Sequence, residues 1–367
     1  MKCHWRIFGY ECFLERKMKN SSANNRQIEL DILRIFAMFA VVIVHTCGMN
    51  TQNMSADGSN KSILTLISAL MTWEIPAFVM ISGRFFLDPE REVSIKRVRR
   101  AIMRMCVALV VWNLVYQFYY IFSGTYSDLN WKGILMQVIQ GPYHFWYIYM
   151  IVGLYLLIPF LRRIAEKKWL MEYFLVLFIV FGTLTNYGPL LPIVGDTIGT
   201  ISEHISFHFA LGYTGYFVAG YYLHRYPLSE KYEIPIYIMG IVLWLGAAGL
   251  TVLYATYFDI HDELFVKYLM PNVAIESFAI YTFFIKRVSK WKFKPGLVAY
   301  IEKLSEYSAG IYYIHALILE LFALAGFSPL VVSPLIMVPL LALLAVILSS
   351  VMIHMIRKIP GIGLKIT

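Results

Sequence analysis

Apolar runs of about twenty residues recur along almost the whole chain, each long enough to cross a hydrocarbon layer roughly 30 Å thick at 1.5 Å per residue. Read between bounding charged or turn residues, the pattern predicts spans at Leu30 to Met49, Ile63 to Leu87, Ala101 to Phe122, Tyr143 to Leu161 and Trp169 to Tyr187. Five more follow at His204 to Leu223, Glu233 to Thr256, Tyr268 to Ile285, Tyr307 to Phe327 and Leu335 to Ile356. The approach to the ninth span, Gly296 to Leu304, has helical character too. Only a helix satisfies its own backbone in lipid over such runs, so the expected fold is all-α: a polytopic membrane helix bundle of about ten transmembrane helices.

Lysines and arginines alternate between loops, and cytoplasmic loops retain them. Arg91, Lys96, Arg97, Arg99, Arg100 and Arg104 follow the second span, and Arg162, Arg163, Lys167 and Lys168 follow the fourth. Arg225 and Lys231, then Lys286, Arg287, Lys290, Lys292 and Lys294, then Arg357, Lys358 and Lys365 complete the rich set. The other loops offer Lys61, Lys132 and Lys267. This asymmetry predicts both termini on the cytoplasmic side and an even number of spans.

Composition fits a membrane chain: 59% of the 367 residues are hydrophobic and 15% charged, against about half and a quarter in soluble domains. The net charge of +9 follows from the loop asymmetry and attraction to anionic headgroups, and gives no argument for nucleic acid. Met1 to Asn25 mixes Arg16, Lys17 and Lys19 with aromatics, lacks an apolar core and a small-residue cleavage site, and so is not read as a signal peptide. Cys3, Cys12, Cys47 and Cys106 show neither metal-ligand nor CxxC spacing; they read as ordinary thiols, and no metal site is expected.

Ionisable groups inside spans are costly unless paired or wetted, which makes each a candidate for function. Arg34 and His45 lie eleven residues apart in the first span, about 20° apart around a helix and roughly 16 Å along it. A cation near the entrance and an imidazole deeper on the same face suit a pore that accepts an anionic donor and moves a proton at its inner end. Snorkelling by Arg34 and a helix-to-helix hydrogen bond from His45 explain the pair equally well. Glu74 and Arg84 share the second span and must find partners, in the chemistry or in an ion pair holding the bundle. His144, Glu276, His315 and Glu320 add polar groups to later spans; His204 and His208 read as packing groups and His354 as interfacial. Trp146, Tyr147, Trp169 and Tyr268 are placed as interfacial anchors.

LRIFAMFAVVIVHT, with Arg34 and His45, and IPAFVMISGRFFL, from Ile75 and including Ser82 and Gly83, resemble the first two helices of the acyltransferase family 3 of membrane proteins, the one in its arginine–histidine spacing and the other in its proline, aromatic stretch and Ser-Gly. SIKRVRRAIMR resembles the basic segment after that helix. YHFWYIYMIVGLYLLIPFL from Tyr143, GYFVAGYYL from Gly215 and SAGIYYIHALIL from Ser308, with His315, follow in order. Glu74 and Arg84 stand where uncharged residues are expected, and no appended hydrolase-like domain is seen.

The resemblance implies a cytoplasmic segment over residues 1–27 and an acyltransferase domain over 28–367, in a bacterial cytoplasmic or inner membrane. It implies transfer of an acyl group, usually acetyl, from acyl-coenzyme A, a co-substrate rather than a permanently bound cofactor, to a hydroxyl of an envelope glycan or lipid-linked acceptor. Arg34, with Arg97, Arg99 and Arg100, would hold coenzyme A phosphates. His45 would take the acceptor proton directly or pass through an acyl-histidine, and Glu74 would orient or charge-compensate a catalytic group. Ser82, Arg84, His144, Trp146 and His315 are further candidates. The outer segments Asn50 to Ser62, Ser123 to Pro142, Gly188 to Glu203 and Tyr257 to Lys267 would build the acceptor surface. The competing class is a proton-coupled carrier, which buried Arg, His and Glu also suit, although the halves show no repeat or matching helix breaks. A scaffold explains the spans but not the ordered motifs.

Overall fold

Pro76, Pro271, Pro295 and Pro334 fall where apolar runs begin or break, and a proline, which lacks an N–H, is best placed in a first helical turn. Each stands there in the computed structural model, which describes residues 26–49, 58–90, 94–126, 130–190, 208–257, 265–361 and 363–367, with 197, 200 and 204. The chain runs through α1 (Ile28–Cys47), α2 (Gly58–Ala69), α3 (Glu74–Phe86), α4 (Ile95–Phe122), α5 (Trp131–Gln140) and α6 (Trp146–Ala165). It continues through α7 (Lys168–Leu177), α8 (His208–Arg225), α9 (Glu230–Tyr257), α10 (Pro271–Lys286), α11 (Pro295–Leu324) and α12 (Pro334–Ile356). No strand occurs among the described residues. Among the described residues eight helical stretches are long and apolar enough to cross a membrane.

The second span is not one helix. It breaks at residues 70–73, because Pro76 cannot donate a bond back to the carbonyl four residues earlier and so opens the first turn of α3. The sixth and eighth spans appear as α8 and the 16-residue α10, which are not among the eight. α11 absorbs Gly296 to Leu304 into a continuous 30-residue helix. Part of the segment read as an outer loop forms α5, which exposes Trp131, Leu135, Met136 and Ile139.

α1 is central, packed against α11, α12, α3, α2 and α10. In its apolar window 61% of residues are buried, against 22% in α9, whose Ile234, Ile238, Ile241, Val242 and Leu245 face outward as a lipid-exposed helix requires. α3 and α8 make the closest crossing. A Cβ on Gly83 would stand 1.8 Å from the Phe217 carbonyl oxygen, and one on Gly220 2.0 Å from that of Met80. Glycine at both positions is what lets the backbones touch.

Contacts gather the basic loops at one end. Arg26 reaches Glu302 and Glu306, Arg357 reaches Glu306, and Arg225 reaches Glu90. Lys286 and Arg287 close on the buried Glu233 at 2.7 and 2.5 Å, tying α10 to α9. Arg162 donates to the carbonyls of Phe86 and Asp88, capping the end of α3. Cys47 and Cys106 are free thiols; Cys3, Cys12 and residues 1–25 lie outside the described residues.

Candidate active site

α1 presents Arg34 and His45 along one face, with the buried Met38 and Val41 between them. At the basic end Arg34 is held in place. Its Nη1 donates to Asp31 Oδ1 at 3.3 Å and to Ser305 Oγ at 3.0 Å, while Ser305 Oγ donates to the same carboxylate oxygen at 2.5 Å. Arg26 Nε takes the second oxygen at 2.7 Å. Asp31 is thus a buried carboxylate shared by two guanidiniums, and the Arg34 side chain keeps 28% exposure, free to meet a further anion. Tyr147 and Tyr155 lie within electrostatic reach of Arg34, and Ser82 stands beside Tyr155.

Asp31 and Ser305 escaped sequence reasoning. The spacing Asp31-x-x-Arg34, one helical turn, was the available signal. Ser305 belongs to another helix, and only packing brings it in.

At the far end of the same face three imidazoles meet. His45 stacks on His315, centroids 5.2 Å apart with 29° between planes, and His144 stands edge-on to both at 6.1 and 5.2 Å. His144 belongs to a 3₁₀ turn, Tyr143–Phe145, at the entrance of α6. The Tyr312 hydroxyl donates to the His144 carbonyl and pins that turn to α11. Around the rings lie Tyr143, 5.1 Å from His45 and 58% exposed, and Tyr116, 5.4 Å from His144.

His315 Nδ1 sits 3.1 Å and 2.8 Å from the carbonyls of Ile311 and Tyr312. Carbonyls only accept, so Nδ1 carries the hydrogen and Nε2 the lone pair. Nε2 is buried with no hydrogen-bond partner among the described residues, and neither His144 ring nitrogen makes a hydrogen bond of ordinary geometry there. Tyr116 braces this part of α11. Its hydroxyl donates to Tyr313 O at 3.0 Å and accepts from Leu317 N–H at 2.9 Å, the two groups a regular helix would join directly.

The other candidates go elsewhere. Glu74, at the start of α3, accepts from Tyr268 Oη at 2.8 Å, and Trp146 stacks on Tyr268 at 5.6 Å, away from the three rings. Arg84 pairs with Asp88 at 2.8 Å, so it serves the bundle at the basic end. Arg97, Arg99 and Arg100 are exposed on the first turns of α4. His354 bonds Tyr307 at 2.9 Å, and His204 is exposed beside the Thr200 carbonyl. The side chain of His208 lies outside the described residues.

What the arrangement offers is a fixed cation at one end of a helix face and, at the other, imidazole nitrogens with lone pairs in a buried aromatic setting. Such groups accept and return protons. Among the described residues no three His, Cys, Asp or Glu side chains are placed to hold a metal ion.

Comparison with known proteins adds one finding. No curated protein and no solved structure matches the chain. A family model described as an acyltransferase domain matches residues 27–354 and so takes in both Arg34 and the three histidines. The chain is a multi-pass membrane protein of acyltransferase family 3, and its activity is that of an acyltransferase.

Proposed function

We propose that the protein transfers an acyl group, acetyl first among them, from cytoplasmic acyl-coenzyme A to a hydroxyl of a cell-envelope glycan or lipid-linked acceptor, in a bacterial cytoplasmic membrane. The observation that carries this reading is the pairing on one face of α1: Arg34 fixed by Asp31 and Ser305 at the basic end, His45 stacked on His315 at the other. The basic end is taken as the cytoplasmic side.

Arg34 supplies a guanidinium whose planar donors suit phosphate oxygens of the donor, with Arg97, Arg99 and Arg100 as exposed attraction around the mouth. His45 takes the proton from the acceptor hydroxyl as its oxygen attacks the thioester carbonyl. The carbon–sulfur bond then breaks, and the imidazolium returns that proton to the departing thiolate, giving ester and coenzyme A. His315, stacked on the His45 ring, and His144, edge-on to both, are positioning groups.

Calorimetric titration of acetyl-coenzyme A into the detergent-purified chain tests the donor assignment. Saturable binding that weakens with salt and falls at least tenfold in Arg34→Ala is expected; equal affinity in a folded Arg34→Ala protein overturns it. A carrier is the second reading, and the break at residues 70–73 favours it, because carriers use broken spans to build binding sites. Substrate uptake into proteoliposomes without acyl-coenzyme A would establish that reading.

A further inference from the structure

Four interruptions of regular helix meet in one place. The second span restarts at Glu74, α10 starts only at Pro271, and α8 carries a non-helical residue at Gly212, with φ −55° and ψ −120°. α7 runs into a π-helical turn, Phe178–Thr183. α8 packs on α3, α10 and the π turn, and α10 packs on α3 and the π turn. Bonds cross the junction: Tyr268 Oη to Glu74, Tyr216 Oη to the Tyr268 carbonyl at 2.5 Å, and Asn186 Nδ2 to the Leu269 carbonyl at 2.8 Å. Irregular backbone at membrane depth persists only where protein buries it or a cavity wets it, and discontinuous helices commonly mark binding sites.

The side chains at this junction are those of a polar ligand site. Glu276 is 3% exposed, within electrostatic reach of Glu74, and its Oε1 has no hydrogen-bond partner among the described residues. A carboxyl oxygen buried without a hydrogen bond has lost its water and gained nothing in exchange, a loss that a ligand hydroxyl would recover. Trp146 remains 38% exposed while stacked on Tyr268 and 6.0 Å from Tyr213, so part of it stays accessible on the aromatic cluster whose Tyr268 bonds Glu74. Trp146 is also the second residue after His144 and opens α6, so one short segment serves both this junction and the histidine cluster. Glu74 opens α3, where the helix N-terminus already balances its negative charge. The site therefore suits a neutral ring bearing hydroxyls better than an ammonium group.

We propose that the junction of Trp146, Tyr268, Glu74 and Glu276 binds the acceptor as a sugar or similar polyol ring, its C–H face on Trp146 and its hydroxyls on the two carboxyls. This rests on the acyl-transfer reading above. The site sets acceptor affinity, and His45 performs the proton transfer on a hydroxyl presented from it.

The test uses the full chain in lipid nanodiscs, labelled acetyl-coenzyme A, and the methyl glycosides of glucose, galactose, mannose and N-acetylglucosamine as acceptors. At least one glycoside should be acetylated, and for it Glu276→Gln and Trp146→Ala should each raise KM tenfold or more. Their kcat should change less than threefold and their acetyl-coenzyme A affinity not at all. Tyr268→Phe, which keeps the ring, should shift KM in the same direction and serves if another variant fails to fold. Unchanged glycoside KM in the folded variants overturns the proposal, as does a wild type that binds acetyl-coenzyme A but acetylates none of the four. A wild type that does not bind acetyl-coenzyme A overturns the acyl-transfer reading itself, a result the donor titration alone identifies.

Discussion

The imidazole of His45 on α1 stacks on that of His315 on α11 with 5.2 Å between centroids. The Nδ1 of His315 is committed to the carbonyls of its own helix, so its ring cannot turn without giving up those bonds. His315 therefore acts as a fixed wall that sets the plane of His45. Replacing His315 by alanine should lower kcat by roughly tenfold or more while leaving acetyl-coenzyme A affinity unchanged, because the loss falls on the orientation of the proton-transfer group. Steady-state kinetics with a donor titration checks this; a raised donor KM at constant kcat would place His315 in donor binding instead.

Asp31 should matter as much to the fold as to the site. It is buried between Arg26 and Arg34, and Asp31→Asn leaves two guanidiniums facing a neutral amide. Removing one partner of a buried ion pair costs about 3–5 kcal/mol, an upper bound here because both arginines are partly exposed. A clear fall in Tm and weaker donor binding are expected together. Ser305→Ala, which removes one hydrogen-bonding hydroxyl, should cost about 1 kcal/mol and weaken donor binding less. Thermal unfolding and calorimetry on both variants measure the difference.

Gly83 is a packing position. Gly83→Ala drives a methyl group into the Phe217 carbonyl, so α3 and α8 must separate, at a cost of about 1–3 kcal/mol or more. Lower Tm and lower yield of folded protein are the expected outcomes. Ser82→Ala, on the partly exposed side of the same helix, should leave Tm nearly unchanged.

The relation between Arg34 and His45 was legible because both lie on one helix, where 100° per residue decides which side chains share a face. His144 and His315 were visible only as separate histidines in distant spans; that they close on His45 is a product of helix packing. The break at residues 70–73 had a local signal in Pro76, masked by the apolar residues on both sides, which satisfy the length of a span whether or not the helix is continuous. Its consequence, the meeting of α3, α8, α10 and the π turn, is a tertiary fact. Arg84 was isolated in the apolar pattern, yet its partner Asp88 stands four residues on, just past the end of α3, one turn away by helix geometry.

The central claim is that His45 moves the proton in acyl transfer. The most direct measurement is the rate of labelled acetyl transfer from acetyl-coenzyme A by purified His45→Ala, shown by calorimetry to bind the donor as the wild type does. A loss of about a hundredfold or more with donor affinity retained is the predicted result. Transfer within a few-fold of wild type in that folded, donor-binding variant would contradict the account.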